Sequence, residues 1–341
     1  MIDNKALKKW ELENSRRKFP DLEIPFQDGL PHELTLKQGV HKIPDIYVAR
    51  VPDVIYTAPI GAGFYSGDAV LETAWCGRID VLLRNMPYVE MAASHLRDTL
   101  PVELSKVFPM IGVWSDQYFH WVTEFFPKIW SLIAYMGETD DRDVFILLQK
   151  DPPFFVTEML DLINLPVRYY FEETVYQAET SILVTTNRHN GITNPGCVEW
   201  VRNTFRGIVP PVLGGAKKIW VSRRNNQRAR RVVNEDELLP VLADRGFSVI
   251  APDEWSVAEQ IAMFQAAHVI VGPHGGGLTN MIYADSPRVH EFFAPSYINP
   301  CFYALAKGIG SEYSCSMGEL IGEEDIRIDP KELDNILERI G

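Results

Sequence analysis

The chain of 341 residues carries a formal net charge of -13, with 46% hydrophobic and 23% charged residues. That length exceeds one ordinary core and suits two domains of roughly 150 residues, and the apolar content excludes a disordered chain. The negative surface repels a nucleic-acid backbone or an anionic bilayer, so no nucleic-acid partner is expected and any anionic ligand must be held at a local positive site.

Residues 1–20 hold charges throughout, without the apolar run of a signal peptide, and no later stretch is apolar for long enough to span a bilayer. The expectation is a cytoplasmic protein. In that first segment Lys8, Lys9, Arg16, Arg17 and Lys18 surround Leu7, Trp10 and Leu12. A weak, peripheral association with the inner membrane face is one reading; Glu11 and Glu13 interrupt the basic face and favour the other, a solvated terminal helix. Cys76, Cys197, Cys301 and Cys315 lack zinc-site spacing and read as buried thiols of a reducing compartment, with a Cys301–Cys315 bridge as the alternative.

From Ile43 to Ala74, short β-type runs separated by Pro52, Pro59, Gly61, Gly63 and Gly67 predict hairpins. Strand-like runs at Val107–Val113, Asp143–Gln149 and Ile182–Thr186 then alternate with helical patterns, which implies a parallel sheet. The rhythm repeats at Lys218–Arg223, Gly246–Ala251, His268–Gly272 and Arg288–Phe293, with helix starts at Asn234 and Ser256, each followed three residues later by glutamate. Prolines and glycines between 195 and 215 place the boundary there, giving domains 1–205 and 206–341, with an amphipathic segment Lys331–Ile340 at the end. The fold class is α/β, with two Rossmann-like domains facing each other across a cleft.

The chemistry concentrates at strand ends. His268–Gly272 runs into His274, Gly275, Gly276 and Gly277 and then into a helix-competent segment. Such a turn leaves backbone N–H groups at a helix N-terminus, which suits a diphosphate, and His274 can donate a further hydrogen bond; a glycine turn needed only for backbone geometry is the alternative. Five arginines (Arg223, Arg224, Arg228, Arg230 and Arg231) lie just beyond the strand Lys218–Arg223. The first two sit where open α/β sheets hold ligands and can neutralise a diphosphate without a metal, whereas the last three read as a solvated basic loop. Glu291, closing Arg288–Phe293, and Asn280 are candidates for ribose or sugar hydroxyls, Glu291 being equally suited to pairing with an arginine. In the first half, helical spacing puts His120 and Glu124 one turn apart, with Asp116 just before the helix. A histidine oriented by a carboxylate is a general base for a sugar hydroxyl, and a merely structural buried pair is the alternative. No third ligand with metal spacing is nearby, and no cofactor is expected.

Three other motifs point elsewhere. Asp141-Arg142-Asp143 spells the DxD of metal-dependent transferases but precedes its strand, at the wrong end of the sheet. His274–Gly277 spells an esterase oxyanion motif without the GxSxG that chemistry needs, and Gly61–Gly67 lacks dinucleotide spacing.

HWxxExxP at His120–Pro127, SRR followed by NEDEL at Ser222–Leu238, GPHGGGLTN at Gly272–Asn280, and VHEFF leading into INPCFYALA together resemble glycosyltransferase family 61. The family usually has alanine where this chain has Gly276. The resemblance implies a GT-B architecture and an inverting, metal-independent transfer from a nucleoside-diphosphate sugar, UDP being the expected carrier, to a hydroxyl of a glycan acceptor in cell-surface polysaccharide synthesis. In such a transfer the residues themselves offer either His120 or Glu124 to take the acceptor proton, with Asp116 as the lesser alternative. A catalytically silent sugar-nucleotide or polysaccharide-binding protein is the competing reading.

Overall fold

The structure, a computed structural model, describes every residue except 58–59, 76, 88–89, 91–93, 95–99, 166–167, 173–174 and 227–228, and the backbone alone at 168–172. Pro59, Cys76 and Arg228 therefore lie outside the described residues. The chain divides into two compact units, one of Met1–Pro20 with Ile43–His189 and one of Asp21–Lys42 with Asn190–Gly341. The division falls after His189, ahead of the expected 205/206 boundary. Helix Pro195–Arg206 belongs to the second unit because Arg202 and Arg206 donate to the carbonyls of Ile282 and Tyr283, at 2.5 and 3.0 Å. The excursion 21–42 was not foreseen: its strands Leu22–Ile24 and Gly39–His41 pair antiparallel, and Gln27 donates to the Tyr313 carbonyl at 3.2 Å.

The first unit is built on a seven-stranded sheet: β1 Val48–Thr57, β2 Ala62–Tyr65, β3 Asp68–Ala69, β4 Val102–Pro109, β5 Phe145–Gln149, β6 Arg168–Glu172 and β7 Val175–Val184, in the order β3-β2-β1-β7-β4-β5-β6. β1, β2 and β3 form the antiparallel meander that the Ile43–Ala74 turns predict, and β1 pairs antiparallel with β7. From β7 onward all pairs are parallel. β4 spans Val102–Pro109, earlier than expected, so the chain leaves the sheet at Met110 and the aromatic helix begins eight residues later at Tyr118.

Residues 1–20 form no membrane-type helix. The helix Asn4–Leu7 is one turn long, Leu7 is fully buried, and Trp10 packs on the same core and against Tyr65 at 5.1 Å. Two of the three apolar side chains of that face, Leu7 and Trp10, are thus packed within the unit. No helix of the described residues is long and apolar enough to cross a membrane.

The second unit holds five parallel strands: β8 Lys218–Val221, β9 Ser248–Ile250, β10 Val269–Pro273, β11 Arg288–Phe293 and β12 Tyr313–Met317, in the order β9-β8-β10-β11-β12. This is a doubly wound, Rossmann-like order that reverses direction between β8 and β10, the place where such sheets bind ligands outside their carboxyl ends. Ser256 and Glu259 form the capping box that opens helix Val257–Phe264. The final helix, Pro330–Ile340, buries Leu333, Ile336 and Leu337 in this unit's core. Cys197, Cys301 and Cys315 are free thiols, so the Cys301–Cys315 bridge is absent.

Candidate functional site

The candidate residues fall into two groups, one in each unit. In the first, Tyr118–His120 is a short α-helical turn that widens into a π-turn over Trp121–Phe125, closed by the Phe126 N–H donating to the Trp121 carbonyl at 2.8 Å. Pro127 accounts for the local irregularity, because it has no N–H to give the Thr123 carbonyl. Asn187 supplies the missing donor, its Nδ2 reaching that carbonyl at 3.0 Å. The same loop brings in Arg188, which sequence reasoning missed: no motif marks it, and it lies 64 residues from Glu124 in sequence, after β7, which pairs with the β4 strand that precedes the His120 helix. A π-turn of this kind is a frequent companion of functional sites.

His120 Nδ1 donates to Glu124 Oε1 at 2.8 Å, and Arg188 Nη1 donates to the same oxygen. A carboxylate only accepts, so the proton is on Nδ1 and the Nε2 lone pair is left for a substrate hydroxyl. Trp114 stacks on the imidazole at 4.7 Å, and Phe119 packs edge-on at 5.3 Å. Glu124 is buried, which would raise its carboxyl, but Arg188 and His120 outweigh burial and hold it down at about 2. It is therefore ionised at any working pH and is a poor base. Its position suits it to orienting His120 and stabilising the imidazolium. Asp116 is exposed in the turn before the helix and makes no hydrogen bond or ion pair among the described residues, so the structure does not bring it into the group. Below Glu124 lies a small cavity lined by Glu72, Glu124, Phe125, Lys128, Thr186 and Asn187.

In the second unit, the residues after β8 and β10 meet at the switch point. Arg223 is buried, with Nη2 donating to the Ala229 carbonyl at 3.1 Å, and its guanidinium lies against Gly275 so closely that a Cβ at 275 would overlap it. Gly275 is required for this approach, not for its extended backbone. Arg224 is more open, held through Nε by Glu235 at 3.0 Å. Glu235 is a buried anchor that also accepts from Trp220 Nε1 at 2.5 Å and Ser222 Oγ at 2.7 Å; in the sequence it reads only as part of a helix start. Arg230 and Arg231 face Glu324 at 3.6 Å and Asp325 at 2.8 Å, as suits a neutralised loop.

The glycines open a helix as expected, and it is a 3-10 helix, Gly276–Tyr283. Leu278 N–H bonds back to Gly275, while the amides of half-buried Gly276 and Gly277 make no backbone hydrogen bond among the described residues and are the candidates for an anion. His274 Nδ1 donates to Glu291 Oε1, and Tyr313 OH donates to Glu291 Oε2 at 2.5 Å. Burial first, then Glu291, raises the Tyr313 phenol well above its ordinary value, so it stays a donor. Glu291 is wholly buried with both oxygens occupied, and Asn280, also wholly buried, donates to Gln260 at 2.9 Å. Neither side chain presents a surface to a ribose, contrary to expectation: Glu291 fixes His274, and Asn280 ties the 3-10 helix to helix Val257–Phe264. His274 also differs from expectation, since with Nδ1 given to Glu291 a neutral imidazole has no N–H left for phosphate; only the imidazolium can donate from Nε2.

Among the described residues no cluster of histidine, cysteine and acidic side chains could hold a metal ion. Asp141 of the DxD is engaged by Lys106 at 2.8 Å and Tyr135 OH at 2.8 Å. Residues 118–289, half of the chain, match the sequence profile of Glycosyltransferase 61. The profile begins at the His120 helix and runs through β8, the glycine turn and the start of β11. No curated protein matches the chain.

Proposed function

Since the chain belongs to glycosyltransferase family 61, we propose that it moves a sugar from a nucleoside-diphosphate sugar, with UDP as the carrier, to a hydroxyl of a glycan acceptor by a single in-line, inverting displacement. The observation that carries this reading is the switch point of the second unit, where buried Arg223, half-open Arg224 and the amides of Gly276 and Gly277 gather positive charge in an acidic chain. A departing diphosphate is neutralised there without a metal. The imidazolium form of His274, stabilised by Glu291, adds a donor as the diphosphate's charge develops. The acceptor hydroxyl loses its proton to His120 Nε2, with Glu124 and Arg188 fixing the tautomer. Asp116 is assigned no part. Dividing donor and acceptor work between two units is the GT-B arrangement, acting here in cytoplasmic synthesis of a surface polysaccharide.

Calorimetry with UDP, GDP, CDP, CMP and ADP, with and without EDTA, tests the donor site. UDP binding that persists in EDTA and weakens in Arg224→Ala supports the reading; no response to any nucleotide, or one that requires manganese, removes it.

A further inference from the structure

Beneath the His120–Glu124 pair lies a second carboxyl that the proposed transfer does not use. Glu72 is 2% exposed, and its Oε1 is fully buried with no hydrogen-bond partner. Across the cavity stands Lys128, 8% exposed, four residues after Glu124, with Nζ 5.1 Å from the Phe125 ring. The space between has room for about one water molecule. A water there would meet Glu72 Oε1, the Glu124 oxygen not engaged by His120 and Arg188, and the Lys128 ammonium. Gly77 leaves the room: at φ +70° a side chain would be strained, and its Cβ would press on both Glu72 oxygens at 3.2 Å.

We propose that Glu72 is a further positioning residue of the base unit, placed across this cavity so that its charge balances Lys128 and sets how readily His120 takes up a proton. The argument rests on His120 being the base. Four formal charges follow one another from the imidazole: His120 and Arg188 bond Glu124, and the cavity beneath Glu124 is shared with Lys128 and Glu72, two positive charges and two negative in all. When Glu72 is ionised they cancel, and an imidazolium forms beside a neutral set. When Glu72 is protonated the set is positive and the imidazolium is disfavoured. The other charged or titratable groups facing Glu72 are Asp3 and Tyr47, and the Thr186 N–H donates to it. Burial raises Glu72 to about 7 against the pull of Lys128, so the switch between the two states falls in the physiological range. A buried carboxyl raised in this way favours folding while protonated; that contribution is whole below about 4.5 and is lost as pH rises through about 7. The folded protein thus carries a cost at neutral pH that glutamine in its place would remove.

The test needs no donor or acceptor. The imidazole resonances of the eight histidines are followed by NMR from about pH 5 to about pH 9 in the natural protein, Glu72→Gln, Lys128→Met and the double variant, with His120 assigned by its loss in His120→Gln. The expected result is a His120 midpoint displaced downward by a few tenths of a unit in Glu72→Gln, upward in Lys128→Met, and near its natural place when both charges are gone. Thermal melting should show Glu72→Gln more stable than the natural protein at about pH 9, with the gain vanishing toward about pH 5. A His120 midpoint that does not move in either single variant overturns the proposal, as does a Glu72→Gln protein that melts no higher at alkaline pH. If the midpoints move as stated but His120→Gln transfers sugar normally, the charge coupling stands and the assignment of the base fails instead.

Discussion

Each unit contains a histidine whose Nδ1 donates to a glutamate, and the two pairs differ in what else bonds the carboxylate. In the first unit Glu124 receives Arg188, a cation, and the imidazole keeps an open stack against Trp114. In the second, Glu291 receives the neutral Tyr313 hydroxyl, and His274 is packed among Phe293, Tyr297 and Phe302. The third partner separates the roles. A cation keeps Glu124 ionised and bonded to its histidine, as the proposed base requires, whereas a neutral donor and an aromatic jacket fix His274 in place. A His–Glu pair alone therefore does not identify a base.

Removing the cation should break this contrast most severely. Arg188→Met leaves Glu124 buried without its strongest partner, so a loss of about 3–5 kcal/mol in unfolding free energy is expected by chemical denaturation, with Tyr313→Phe costing clearly less. The second largest effect is acid sensitivity. Glu124 lies at about 2 instead of the ordinary 4.5, so its contribution is present above 4.5 and lost as pH falls toward 2. That window corresponds to about 3 kcal/mol, and melting in Glu124→Gln should be flatter between about pH 5 and about pH 2 than in the natural protein. Next comes the anion side: Gly275→Ala must displace the Arg223 guanidinium, and a loss of about tenfold to a hundredfold in UDP affinity is expected by calorimetry, about 1.4–2.8 kcal/mol. At the small end, Asp116→Asn should change turnover by less than about twofold, since an exposed side chain outside the group supplies no part of the proton transfer.

The sequence made much of the second unit legible, because the strand-then-glycine pattern, the arginines and the Ser256 cap are local signals that parallel α/β units repeat. The side-chain oxygen of Asn234, the other expected cap, instead accepts from the Ile328 N–H and caps no N–H of the helix it precedes. It missed β12, whose Tyr-Ser-Cys-Ser-Met run has little strand character and pairs only because β11 lies beside it. Glu291 shows the limit at the site. Its place at a strand end was readable, but its burial depends on His274 and Tyr313, 17 and 22 residues away in sequence. Arg188 and Glu72 were invisible for the same reason: each reaches the His120 group only after the sheet of the first unit has brought distant loops together. The π-turn was unreadable as well. Its consequence, a Thr123 carbonyl awaiting Asn187, required the fold.

The most direct test is turnover and UDP affinity measured together on His120→Gln, using release of UDP from a panel of UDP-sugars. The expected result is a rate lowered by about a hundredfold or more, with UDP binding unchanged, because the proposed base and the proposed diphosphate site are carried by different residues. A His120→Gln protein that turns over at the natural rate would contradict it.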